Sequence, residues 1–307
     1  MSAQTELQEW HVTEPYLHIQ CALGEGPFYE AATNSLRFVD IKKHRVHWVK
    51  LDEGPESVTT VQLDAPVTVT SDIEGVDPRE RILIGIKYGI AVLDRTTGKY
   101  EYVARFDDPG NERLRSNDGA ADPHGRFWLG SMTDIGLDLQ PEGHLYLFGD
   151  ASPTATSMRH PVTIPNSVGW SPDGKTMYFT HSTERTIYAW DYSQTDGKLT
   201  NERVFYRHVG TGEPDGFRVD TDGNLWQAVY GESRVLKISP RGELVGLVHL
   251  PTHNITCTQF VGTDLFMTSA KMEKGDGPDE AVALSGAVFK VDVGARGLEP
   301  FAFKLQE

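Results

Sequence analysis

Four residues able to hold a cation or bond a polar substrate stand just ahead of a phrase that recurs along the chain. The phrase is clearest as DPHGRFW from Asp122, SPDGKTMYF from Ser171 and DTDGNLW from Asp220, whose glycines Gly125, Gly174 and Gly223 lie 49 residues apart. Five residues before these copies stand Asn117, Asn166 and Asp215, and Glu25 stands four before a weaker copy, YEAATNSLRFVD from Tyr29. Asp72 and Glu74 precede DPRERILIG, Asp118 follows Asn117, and Thr256 precedes VGTDLFMTS by the same five. If equivalent positions converge, several oxygen donors share a small volume, and two or three carboxylates there repel one another unless protonated, hydrated or neutralised by a cation. Glu25, Asn166 and Asp215 offer oxygen alone, which suits calcium, magnesium or manganese better than a closed thiolate or imidazole zinc site. Asn and Asp also cap turns by bonding their own backbone, so the inference rests on the recurrence and not on any single residue.

Residues this far apart in sequence can meet only if the chain is a repeat. The six copies begin at 29, 77, 122, 171, 220 and 261, a period characteristic of repeat architecture. Within one unit, NSVGWS reads as a strand, SPDGK as a turn, TMYFTHS and RTIYAWDYS as further strands, and LTNERVFYRH as a fourth after QTDGK. Four antiparallel strands per unit make a propeller blade, so the expected fold is all-β: a six-bladed β-propeller of four-stranded antiparallel blades, one domain over 1–307 with short flexible tails. The innermost strand of each blade would line a central channel, with the recurring polar residues at one mouth. Tyr16 to Ile19 are expected to complete the last blade beside GAVFKVDV, because an open edge invites aggregation. ARGLEPFAFKLQE is expected to be a terminal strand and tail.

Composition narrows the function. With 29 Lys and Arg against 44 Asp and Glu, the formal net charge is −15, which argues against a nucleic-acid partner. Two cysteines, Cys21 and Cys257, exclude a disulfide framework and a Cys-x-x-Cys zinc site, and Cys257 is expected to be a buried, inert thiol. The polar N-terminus lacks a secretory pattern and no segment approaches the roughly 18 apolar residues of a membrane span. A cytoplasmic protein without a membrane partner, monomeric or weakly homo-oligomeric, is the expectation. There is no G-x-S-x-G elbow and no H-E-x-x-H helix. Of the 11 histidines, His44 and His47 read as outward strand residues, whereas His181 and His253 flank expected channel strands. Asp220 and Asp222 read as a tight turn rather than a calcium loop.

The segments GEGPFYE, RSNDGAADPHGRFWLGSM, IPNSVGW and EPDGFRVDTDGNLW resemble the senescence-marker-protein/gluconolactonase family of regucalcin and sugar lactonases, in family order from about Gly24 to Gly262. The resemblance implies six blades, and it implies Glu25, Asn166 and Asp215 as ligands of one divalent metal ion. Calcium, magnesium, manganese, zinc and iron are all candidates for such a site. Arg115 and Asn117 match positions that contact substrate or flank the metal, and Asp118 would hold its loop. Some relatives carry a sugar-binding acid shortly after GTM; the stretch GSMTDIGLD here offers Asp134 or the apolar Ile135. The implied activity is metal-dependent opening of sugar-derived lactones, such as glucono-, xylono-, arabinono- or rhamnonolactone, to the sugar acid. Asp215 would take the water proton, needing no shift if its pKa is the ordinary carboxylate value near 4. Two alternatives remain: a calcium-binding or regulatory propeller without turnover, and a hydrolase of a non-sugar ester.

Overall fold

The computed structural model describes residues 7–108, 110–149 and 155–305. Its six sheets follow one another in chain order around a ring, each running from an inner strand outward through antiparallel neighbours. The inner strands are Gly24–Glu30, Val67–Ser71, Leu114–Ala121, Pro165–Trp170, Glu213–Val219 and Ile255–Val261. Each packs beside the next, and Ile255–Val261 packs beside Gly24–Glu30. The result is a six-bladed β-propeller. Helix is confined to Asp279–Leu284 and two 3-10 turns among the described residues.

The 49-residue glycines turn each inner strand back on its neighbour. Gly125, Gly174 and Gly223 have φ of +81°, +65° and +85°, a left-handed conformation that glycine adopts without steric cost. The aspartate that opens two of these turns also anchors the next strand. Trp128 Nε1 donates to Asp122 Oδ2 at 3.1 Å, and Trp226 Nε1 donates to Asp220 Oδ2 at 2.9 Å. Asp220 is therefore a buried turn residue, as the sequence suggested. The tryptophans sit in apolar clusters that join neighbouring blades, and six such clusters among the described residues form the seams of the ring. Burial of these faces is the dominant favourable term holding blades that share no continuous hydrogen-bonded sheet.

Closure follows the expected route in reduced form. Leu17 bridges Val288 with reciprocal backbone bonds of 3.0 and 2.9 Å, so the N-terminal segment completes the three-stranded last sheet without forming a full strand there. An unforeseen strand, Gln8–His11, pairs in parallel with Leu244–His249 and makes the fifth blade five-stranded. The C-terminal segment is not the expected strand. It crosses the end of the channel opposite the recurring polar residues: Thr221 N donates to Arg296 O, Leu298 N to Val219 O, Phe303 N to Asp72 O and Lys304 N to Gly125 O. Too few consecutive residues face any one blade edge for a ladder to form, so the segment straps several blades instead.

Candidate active site

Five of the six inner strands carry the irregularity that builds the site at the same place, and the sixth carries a shorter one. Pairing with the second strand slips between Glu25 and Phe28, Ser116 and Gly119, Pro165 and Val168, Pro214 and Phe217, and Ile255 and Thr258, and between Val67 and Val69 in the second blade. A β-bulge re-aims the residues it contains. Asn117 and Asp118, Asn166 and Ser167, Asp215 and Gly216, and Thr256 and Cys257 occupy these bulges, while Glu25 stands one step earlier, before Gly26. Gly216 is required by close approach, since a Cβ there would lie 2.3 Å from Cys257 Sγ.

The structure brings Glu25, Arg115, Asn117, Asn166 and Asp215 together, all buried. Arg115 Nη1 donates to Asn117 Oδ1 at 2.9 Å, and Asn117 Nδ2 donates to Asn166 Oδ1 at 3.1 Å and to Pro165 O at 2.8 Å. Asn166 Nδ2 donates to Ser182 Oγ, which in turn donates to Pro214 O, both at 2.7 Å. This relay fixes the amide with its oxygen toward the channel. Glu25 and Asp215 lie close enough to share a hydrogen bond between their carboxyls. Asp118 accepts from Gly119 N and Ser167 Oγ, both at 2.7 Å, and so holds the bulge as the resemblance implied.

Three buried carboxyls in one volume dominate the electrostatics. Burial pushes Glu25 up to about 8, with the Asp118 charge adding to the rise. Burial, then Glu25 and Asp118, raise Asp215 well above the ordinary range, and burial raises Asp118. Desolvation and like charge thus work against the ionised form of Asp215 when only protein surrounds it, so the ordinary carboxylate value does not carry over to this site. Arg115, lowered by burial to about 10, remains charged at neutral pH. Arg218, which the sequence did not single out, also faces the carboxyls. Its guanidinium is tied to Gln259 Oε1, Phe217 O and Pro27 O at 2.9, 2.9 and 3.1 Å, so it is a fixed charge in the channel wall. Its only signal in the sequence was its place three residues after Asp215.

Other candidates fall elsewhere. Asp72 and Glu74 lie at the opposite end of the channel, past the end of Val67–Ser71, because the loop before Arg81 is longer than in the other blades and shifts the offset. Asp72 pairs with Arg37 and the Glu74 backbone bonds Phe303. Asp134 is near enough to Arg115 to act on its charge, yet its carboxylate is held by Lys87 at 2.9 Å. His181 is buried, its Nε2 accepting from Thr163 N at 3.0 Å, which gives it a structural bond. The His253 ring packs near Gly277 and Met272. Cys257 lines the channel wall against Gly216, and burial pushes its thiol up, as expected of an inert group. His47 is not outward: it is buried, stacked on Phe38 and bonded to Thr60 Oγ1 at 2.8 Å.

A mostly apolar cavity of about 80 Å³ also exists under the C-terminal strap, lined by Phe28, Val168, Phe217, Arg218 and Phe301 among others. It lacks the convergent oxygen donors of the other mouth. The oxygen-only set Glu25, Asn166 and Asp215 fits a hard divalent cation, because a positive charge would offset the repulsion and desolvation that disfavour ionised carboxyls here.

Fold and site together define a six-bladed propeller with a buried acidic pocket at one mouth. The family described as SMP-30/Gluconolactonase/LRE-like region matches residues 23–271, and the chain belongs to it. Regucalcin of Danio rerio is 33% identical over 298 residues, covering 92% of this chain and 94% of its own. A pentonolactonase of Haloferax volcanii is 31% identical over 295 residues, covering 92% and 94%. Among solved structures, a luciferin-regenerating enzyme superposes with a TM-score of 0.83 at 29% identity, covering 93% of this chain and 96% of its own.

Proposed function

We propose that the protein is a divalent-metal-dependent lactonase that opens sugar-derived lactones to the corresponding sugar acids. The observation that carries this is the trio of buried, mutually repelling carboxyls beside Arg115 and Asn117, in a family whose relatives include a pentonolactonase. Glu25, Asn166 and Asp215 would hold the ion, which supplies Lewis acidity toward a carbonyl and lowers the pKa of a water.

The chain's own groups would do the rest. Asp215, ionised once positive charge offsets Glu25, takes a proton from the attacking water and returns it to the ring oxygen as the acyl–oxygen bond breaks. Arg115 stays cationic and is braced by its bonds to Ser116 O and Asn117 Oδ1, so it can face a substrate oxygen without reorganising. Asn117 supports that geometry and the orientation of Asn166. The pairing of Asp134 with Lys87 presents a zwitterion rather than a free carboxylate, so sugar hydroxyls would meet both a donor and an acceptor there. No covalent nucleophile is needed for an activated ester.

The test is hydrolysis of pentose and hexose lactones, with spontaneous opening subtracted, by chelator-stripped protein and after each metal is restored in turn. Activity should vanish and return; full turnover in stripped protein sinks the mechanism. The oxygen-only ligand set also favours a second reading, a calcium-binding propeller without turnover, which calcium uptake with no hydrolysis of any lactone or aryl ester would support.

A further inference from the structure

The added strand Gln8–His11 creates a second cluster of ligating side chains, at the outer edge of the fifth blade rather than in the channel. In its parallel register His11 lies beside His249, and Glu9, two residues back, shares the face of His11. The donor atoms of Glu9, His11 and His249 all lie within 4.8 Å of one another. Glu9 Oε2 is 3.4 Å from His249 Nε2 and 3.7 Å from His11 Nε2. We propose that Glu9, His11 and His249 form a second metal site, taking a borderline divalent ion of the zinc, nickel or copper type, that staples the N-terminal strand to the fifth blade.

Ligand chemistry separates the two sites. Two imidazoles and one carboxylate suit zinc-like ions, whereas an oxygen-only set suits calcium or magnesium. Bonds of about 2.0–2.2 Å in tetrahedral geometry set donor atoms roughly 3.3 Å apart, so the Glu9–His249 spacing already fits. The imidazoles are stacked, with centroids 4.7 Å apart and planes at 11°, and would have to turn to aim both Nε2 atoms at one ion. The side chains of His11, Glu9 and His249 are 67%, 50% and 39% exposed, which leaves room for that turn. His249 Nε2 is shielded from solvent and has no hydrogen-bond partner, a condition that a bound ion would relieve. Otherwise the strand is held by its ladder, by Val12 N donating to His249 O at 2.9 Å, and by Trp10 against Trp226, while three of its four residues are exposed.

The full-length protein is titrated with zinc alone, and with calcium alone as a control, and amide exchange is followed at Trp10 to Val12. Wild type should bind one more equivalent of zinc than the His11→Ala/His249→Ala variant, and zinc but not calcium should slow exchange at these amides in wild type only. Glu9→Gln, which leaves the backbone ladder in place, should also lose that equivalent. Lactone turnover should be unchanged in both variants. Equal zinc stoichiometry in wild type and both variants, or exchange indifferent to zinc in wild type, overturns the site. Since Glu25, Asn166 and Asp215 are untouched, loss of turnover on chelation reads the channel site separately.

Discussion

The two ends of the channel treat buried charge in opposite ways. Beneath the ring, Arg37 is fully buried and donates to Glu30, to Thr70 Oγ1 at 2.8 Å and to Asp72 Oδ1 at 3.1 Å, while Arg95 Nη1 donates to Glu30 Oε1 at 2.9 Å. Glu30 and Asp72 each have a guanidinium in contact. At the other mouth Glu25, Asp118 and Asp215 crowd together, and the arginines that face them spend hydrogen bonds on backbone carbonyls and side-chain amides instead. Compensated charge reads as architecture, whereas uncompensated charge retained in a buried site reads as a group waiting for a ligand. The strap of residues 296–304 reinforces the contrast by covering the compensated end.

The difference can be broken by mutation at either end. Asp215→Ala should lower lactone kcat/KM by roughly 10³- to 10⁴-fold, from loss of both base and ligand, while the melting temperature holds or rises because a desolvated carboxyl has gone. A falling melting temperature would mean that the acidic cluster is structural. At the opposite end, Arg37→Met should leave Glu30 with Arg95 alone and take the guanidinium from Asp72, costing up to about 3–5 kcal/mol in urea unfolding, with turnover per folded molecule preserved. Lost turnover with unchanged stability would erase the distinction between the ends.

Metal should act at one end only. At a hundredfold excess over Kd, calcium or the productive ion should stabilise wild type by about 2.7 kcal/mol in thermal or urea melts, and should stabilise Glu25→Gln far less. Equal stabilisation of both proteins would remove the ion from this mouth. The smallest effect calibrates the scaffold away from both ends. Burial lowers His47 to about 4 from an ordinary 6.5, so the folded state disfavours its protonation; the stability this contributes is present above about pH 6.5 and lost as pH falls toward 4. Between about pH 6 and pH 5 wild type should lose about 1 kcal/mol that His47→Gln does not. An unchanged pH slope in the variant would assign acid sensitivity to other groups.

Much of this was legible before the fold was known, for local reasons. Gly125, Gly174 and Gly223 mark turns because glycine takes a left-handed φ at no steric cost, and their spacing reports the length of a blade. Asp220 and Asp222 announced a tight turn because its side-chain bonds span only a few residues. Trp128 and Trp226 each follow a recurring glycine by three residues, and both are buried in the seams between blades. What failed depended on how strands and segments pack on one another: the inward His47, the C-terminal segment laid across the blades, and the N-terminal strand that paired in parallel outside the expected seam.

The sequence by itself determined the repeat, the blade pattern and the kinds of donor present, because these depend on residue type, short-range turns and alternation. Only the tertiary structure decided which acids meet. Asp72 and Asp215 look alike as lone acids ahead of a repeat, yet one faces Arg37 and the other Glu25. The inner-strand bulges and the length of each following loop fix where a side chain enters the channel, and the seams between blades fix which residues it meets there. Arg218 and Lys87 acquire their roles in the same way, since a charge matters to a carboxyl through distance in space and shared burial, and neither is written in the spacing of residues along the chain.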